Sequence, residues 1–415
     1  MSIVVRTQLS VMMFIQFFIW GAWFVTMWPY LHKLGFDDIQ KGAAYSTTAW
    51  AAIVSPFVVG MIVDRFFSAE KVMGILHLAG GAVMFWVATI HEPGPFFWVL
   101  LLYTICYMPT LALVNSISFD HMNDPGREFP AIRVLGTIGW IAAGLIVGYV
   151  LPKWILHVET VEDTAIPMKL AAGMSIVMGL FSFTLPHTPP KSIGHKITIS
   201  DVLGLKALKL LKDPSFALFV VCSFLICIPL SFYYQSANGF LNELGMKSSA
   251  AKMTLGQISE IFFMLVMPFF LVRLGVKKML LIGMLFWVGR YILFAYGDNA
   301  SLVYMLYFGI LFHGICYDFF FVTGQIYVDK KAPLDIRASA QGFIAVITLG
   351  VGMVIGNYIN GWVTRYYEMT DATSNSIVHN WKMIWLIPAG MAAVVLLLFF
   401  LLFKDGDTKL EADRT

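Results

Sequence analysis

Residues 7–31, TQLSVMMFIQFFIWGAWFVTMWPYL, run from end to end without a charged side chain. About 20 mostly apolar residues in a helix cross the hydrocarbon core of a bilayer, so this stretch predicts a membrane span near the N-terminus. It is too long for the core of a cleavable leader, and no small-residue cleavage site with a polar mature region follows it. Windows of the same kind recur at 42–63, 72–90, 93–119, 134–152, 170–186, 214–242, 253–272, 279–297, 299–325, 338–364 and 383–403. Only helices or closed barrels satisfy every backbone group in lipid, and these runs are far too long for barrel strands. The expectation is an all-α membrane protein of twelve transmembrane helices, numbered here as spans 1–12. Composition agrees: 59% of the residues are hydrophobic and 13% charged, against about 25% charged in soluble domains. A net charge of +3 is too small to argue for a nucleic-acid partner. Cys106, Cys222, Cys227 and Cys316 all lie in apolar stretches without metal-ligand spacing and read as small buried hydrophobes.

Lys and Arg are more than twice as frequent on the segments that face the cytoplasm if both termini are inside. That bias predicts cytoplasmic ends, and the expected location is the inner membrane. The longest inner connection, 186–213, opens PHTPPK and carries Lys196, Lys206, Lys209 and Lys212. Polar, basic and rich in breakers, it divides the chain into a six-helix bundle at 1–185 and another at 214–403, with a tail at 404–415. The halves repeat weakly. GMIVDR at 60–65 has a counterpart in FLVRLGVKK at 270–278, and IRVLGT at 132–137 in IRASAQG at 336–342. Repeats in the same orientation imply two halves related by an axis along the membrane normal. The 60–65 loop resembles that of the major facilitator superfamily, without the Gly-Arg-Arg that follows it there. The resemblance implies that Asp64, Arg65 and Arg273 are gate residues, stabilising the form closed to the cytoplasm.

A charge near the bilayer centre costs at least about 2.5–3.5 kcal/mol on insertion scales, so the few present are functional candidates. They are Glu260 in span 8, Arg290 in span 9 and Asp318 in span 10, with His313 five residues earlier and Arg133 opening span 5. Arg133, Thr137 and Trp140 share a helix face, as do Gln257 and Glu260, and as do His313, Tyr317 and Phe321. Faces that mix aromatic and hydrogen-bonding groups suit a flat ring and its polar edge. A nucleoside fits such faces, and so does a small sugar.

FIQFFIWGAW at 14–23, YMPT at 107–110, NSIS at 115–118, FPAIRVLGTIG at 129–139, QISE at 257–260, FAYGD at 294–298, YDFF at 317–320 and RASAQG at 337–342 resemble the bacterial nucleoside:proton symporters. The resemblance covers essentially the whole chain, in order. It implies substrate contacts at Arg133, Thr137 and Trp140, at Gln257 and Glu260, and at Tyr317, with Asp318 coupling the proton and Glu260 a second candidate for that task. Two places depart from the family. Span 7 aligns Ser231 and Tyr234 where relatives carry amides, and His313 replaces a tyrosine; all three stay in the candidate site.

Other readings of the same residues remain open: Asp318 paired structurally with Arg290, Arg133 snorkelling to headgroups, and His313 as a neutral packing group. Pro109 and Pro229 read as kinks, and Gly352-x-x-x-Gly356 as a close helix contact. A membrane enzyme would need a catalytic cluster, and none is evident. The expected function is proton-coupled nucleoside uptake by a monomer needing no cofactor or metal. A sugar:proton symporter is the alternative.

Overall fold

The computed structural model describes residues 1–58, 66–190, 205–333, 336–370 and 377–404. The expected gate residues Asp64 and Arg65 lie outside them. The fold is almost entirely α-helical, as the charge-free windows predicted, with twelve spans among the described residues. Span 1 is Ile3–Trp23, followed by the short helix Met27–Lys33. Spans 2, 3 and 4 are Asp38–Val58, Ala69–Val87 and Pro93–Asp120. Span 5, Pro125–Leu145, runs on into a π-helical stretch, Ile146–Ile155. Span 6 is Ile166–Ser182.

In the second half, a 3-10 turn at Leu205–Lys212 leads into span 7, Pro214–Glu243. Spans 8 and 9 form one helical run, Ser249–Tyr296, broken at Gly275. There φ is 70°, a value that glycine adopts without a Cβ penalty. Span 10 comprises Val303–Tyr317, a π-turn at Asp318–Val322 and Thr323–Lys331. Span 11 repeats that plan, with Arg337–Ala345, a π-turn at Val346–Gly352 and Met353–Tyr366. A small antiparallel hairpin, β1 (Glu368–Thr370) with β2 (Ile377–His379), precedes span 12, Trp381–Leu402.

The helices form two compact units. Unit 1 is Met1–Val202 with Tyr234–Asn242 and Met246–Thr254; unit 2 is Leu203–Tyr233, Glu243–Gly245 and Leu255–Thr415. Within unit 1, span 1 packs on spans 4, 5 and 6, and span 3 on spans 4 and 6. A Cβ at Gly139 of span 5 would collide with the carbonyl of Phe14, so the two helices meet backbone to backbone. Lipid supplies no hydrophobic drive between helices, and small residues that allow such approach hold them together.

A polar knot adds to this packing. His77, which is buried, bonds Ser175 through Nδ1 at 3.0 Å and Gln16 through Nε2 at 2.8 Å. The Gln16 side-chain amide donates to Thr110 at 2.7 Å, and Tyr107 donates to the main-chain carbonyl of Gln16 at 2.6 Å. Spans 1, 3, 4 and 6 are thereby cross-linked inside the bundle, and the side chains of His77, Gln16, Ser175, Thr110 and Tyr107 each have a partner.

Within unit 2, Gly352 and Gly356 of span 11 lie against Cys227, Ile228 and Ser231 of span 7, the close helix contact expected of that glycine spacing. The four cysteines carry free thiols, three buried and Cys106 half-buried.

Candidate functional site

Three turns of span 10 carry the centre of the site in unit 2. His313, Tyr317 and Phe321 follow one another along one face as tilted ring pairs, with centroids 5.8 and 5.2 Å apart, the stripe expected at i, i+4 and i+8. Span 8 meets that face through glycine. A Cβ at Gly314 would lie 2.5 Å from the Ser259 carbonyl, and the Ser259 hydroxyl donates to the carbonyl of Leu311 at 2.5 Å. This tight seam brings the Glu260 carboxylate to 3.9 Å from His313 Nε2. Glu260 and Gln257 are half-buried on the same helix face, and His313 is buried.

Arg290 of span 9 completes the cluster. It is wholly buried. Its Nε donates to the carbonyl of Gly309 at 2.9 Å, and its Nη1 to His313 Nδ1 at 3.2 Å. The guanidinium carbon lies 3.3 Å above the Tyr233 ring, which also stacks on His313 at 5.1 Å. Burying a charge is tolerable only with such compensation. The sequence makes Arg290 a candidate charge and, in one reading, a partner for Asp318; among the described residues the two form no ion pair.

Asp318 begins the π-turn and is completely buried. Neither of its carboxylate oxygens has a hydrogen-bond partner among the described residues. π-turns are rare and concentrate at functional positions, and an unpartnered buried carboxyl carries a large cost when charged.

In unit 1, Arg133 is half-buried with its guanidinium 4.3 Å from the Phe17 ring. Trp140 meets Trp20 edge-on at 5.6 Å, and Trp20 in turn meets Tyr107 at 6.1 Å. Thr137, half-buried, lies on the same face. Tyr234 points to Phe24, 6.1 Å away. The structure thus gives each unit one aromatic and polar face.

Other candidates sit elsewhere. Ser231 is fully buried, donates to its own helix at Ile228 and abuts Gly356 of span 11. Arg273 is exposed and rests 3.6 Å over Phe269. No cluster of metal-ligating groups occurs among the described residues.

The family model for the nucleoside H+ symporters matches residues 1–408. The chain belongs to that family. It is a transporter, not an enzyme. It is 47% identical to Escherichia coli (strain K12) YegT over 98% of this chain and 95% of that protein. The xanthosine permease of the same organism is 32% identical over 97% and 96% of the two chains. The crystal structure of the nucleoside transporter NupG superposes with a TM-score of 0.85 at 32% identity, covering 97% of this chain and 100% of that one.

Proposed function

We propose that the protein takes up nucleosides across the bacterial inner membrane together with protons, by alternating access, as a monomer with both termini in the cytoplasm. Membership of a nucleoside H+ symporter family over nearly the whole chain supports this. The observation that carries the mechanism is Asp318: a buried carboxyl with both oxygens unpartnered, one helical position from the Tyr317 ring.

In unit 2, Tyr317 stacks on the substrate while Gln257, Glu260 and His313 bond its polar edges, and Ser231 holds span 7 against Gly356 of span 11. In unit 1, Trp140 offers a ring, and Arg133, Thr137 and Tyr234 offer donors. A proton on Asp318 removes the cost of closing protein around a charge, so closure is favoured only with the proton aboard. Glu260 holds the substrate rather than the transported proton. Arg273, with Asp64 and Arg65, belongs to the inner gate. One proton crossing about 100 mV supplies roughly 2.3 kcal/mol. At about 1.4 kcal/mol per tenfold, that sustains on the order of fifty-fold accumulation.

The test is uptake of labelled uridine and adenosine into vesicles under an imposed pH gradient. Gradient-driven uptake competed by unlabelled nucleosides, and not by sugars, is expected. Competition by sugars alone overturns the substrate assignment.

A further inference from the structure

Two connections of the chain meet at one buried carboxylate. Glu162, in the connection before span 6, is 1% exposed. It accepts from Asn238 Nδ2 on span 7 at 3.1 Å, and from Ser249 Oγ and the Ala250 amide at the start of span 8 at 2.8 and 3.2 Å. The first amides of a helix have no partner within it, and negative charge is favoured there. Glu162 thus caps span 8 from a segment 87 residues away. Among the described residues only His157 and Ser248 hold left-handed backbone without being glycine, with φ of 52° and 54°. One lies in each of the connections that meet here. Such backbone is costly and concentrates in elements that switch.

Alongside the carboxylate the helices meet on small residues. A Cβ at Gly148, in the π-helical end of span 5, would lie 2.5 Å from the Ala251 nitrogen of span 8, and one at Gly144 2.6 Å from the Thr254 methyl. Gly239 of span 7 lies against the Trp28 ring, where any Cβ would collide. Lys247 and Glu159, both exposed, pair at 2.9 Å. All these residues belong to unit 1, and the remainder of spans 7 and 8 to unit 2. Faces of glycine and alanine part without unthreading side chains. Donors released from a carboxylate find water, so the net cost of breaking each bond is modest. A seam of this composition can open and close again.

Resting on the alternating-access reading above, we propose that Glu162 is the outer latch of the transporter. The connections before spans 6 and 8 lie on the side opposite the termini, which that reading places outside the cell. With the Glu162 bonds made, the ends of spans 7 and 8 are held in unit 1 and the outer side is shut. With them broken, both ends leave unit 1 and substrate enters from outside. One carboxylate acts on two spans at once, because its loss releases Asn238 and the start of span 8 together.

The experiment uses the full-length protein in right-side-out membrane vesicles and has two arms. In the first, Glu159→Cys with Lys247→Cys is joined across the seam by a short bifunctional methanethiosulfonate, which dithiothreitol removes. Uptake of labelled uridine is expected to match the native protein before cross-linking, to be lost after it and to return on reduction. The native protein, treated alike, shows what the reagent does to its own four thiols. In the second arm, Thr254→Cys, at a buried position beside Gly144, reports through its rate of labelling by a membrane-impermeant maleimide. Glu162→Gln, which sets a donor where only acceptors serve, is expected to raise that rate on the order of 10-fold, as a shift of about 1.4 kcal/mol toward the open form does. Uptake that survives the cross-link, or a labelling rate that Glu162→Gln leaves unchanged, overturns the latch. Should the Gln variant fail to fold, the cross-link, made with Glu162 in place, decides alone. Native protein that takes up no nucleoside overturns the transport reading, and the labelling arm, which needs no substrate, still decides the latch.

Discussion

The Cβ that Gly314 lacks would lie 2.7 Å from the backbone nitrogen of Glu260. Spans 8 and 10 therefore touch main chain to main chain at the level where Glu260 meets His313. Gly314→Ala forces the seam apart, an overpacking that costs about 1–3 kcal/mol. The expected result is a lower melting temperature and weakened nucleoside binding, read by thermal shift and by binding to purified protein. Unchanged affinity would show that the seam does not set the site.

Asp318→Asn keeps the volume of the side chain and removes its ability to cycle a proton. Exchange of labelled for unlabelled nucleoside should persist, while accumulation against a gradient is lost. Vesicles loaded with nucleoside measure the first, and vesicles under an imposed pH gradient the second. Accumulation at the native level by the variant would sink the coupling role.

Glu260→Gln replaces a charged acceptor by a neutral one. A hydrogen bond to a charged group contributes about 1.5–3 kcal/mol and one to a neutral group about 0.5–1.5 kcal/mol, so affinity should fall on the order of 10-fold at about 1.4 kcal/mol per decade. Gradient dependence should survive, because the proton is carried elsewhere. Titration calorimetry gives the first quantity and uptake with and without a gradient the second.

Glu162, in the loop before span 6, is buried and accepts from Ser249 Oγ at 2.8 Å, Asn238 Nδ2 at 3.1 Å and the Ala250 amide at 3.2 Å. All four residues belong to unit 1. Glu162→Ala strands these donors, at about 1–3 kcal/mol for a buried group left unsatisfied. Thermal denaturation should show a clear loss of stability, and Glu162→Gln a smaller one.

Asp213 caps span 7, accepting from the Ser215 and Phe216 amides at 2.8 and 3.1 Å and pairing with Lys331 at 2.7 Å. The Lys331 contact, and after it the backbone amides, hold its carboxyl below the usual range. A depressed folded pKa means that the contribution is present above the unfolded value of about 3.9 and is lost as pH falls through the folded one. Asp213→Ala should cost about 1 kcal/mol at neutral pH, as losing a cap does, and the two proteins should converge in acid. A constant gap between their melting temperatures across that range would exclude the cap.

Hydropathy made the spans legible, because a charge-free window in lipid has one regular solution. The windows at 253–272 and 279–297 even straddle Gly275, where one continuous run breaks. The stripe of His313, Tyr317 and Phe321 was equally readable from spacing. Its partners were not. Spacing shows which residues share a face, not which helix that face meets, so Arg290 was assigned no contact with His313. Ser231 turned toward span 11 for the same reason: a small polar residue suits a cavity wall and a tight helix contact alike. His77 and Glu162 went unnoticed because a lone histidine in a span and an acid in a loop carry no pattern, and only the fold supplies their partners.

Span 10 also changes its winding at Asp318. A π-turn pairs each amide with the carbonyl five residues back instead of four, so the chain gains one residue over the same rise. Every side chain from Thr323 to Lys331 is then rotated by roughly 100°, one residue's worth of a 3.6-residue turn, from where an unbroken α-helix would aim it. Gln325 and Tyr327 thus cannot be read as continuing the His313–Tyr317–Phe321 stripe. Deleting a single residue within Asp318–Val322 would straighten the winding and swing the whole C-terminal end of the helix to a new azimuth.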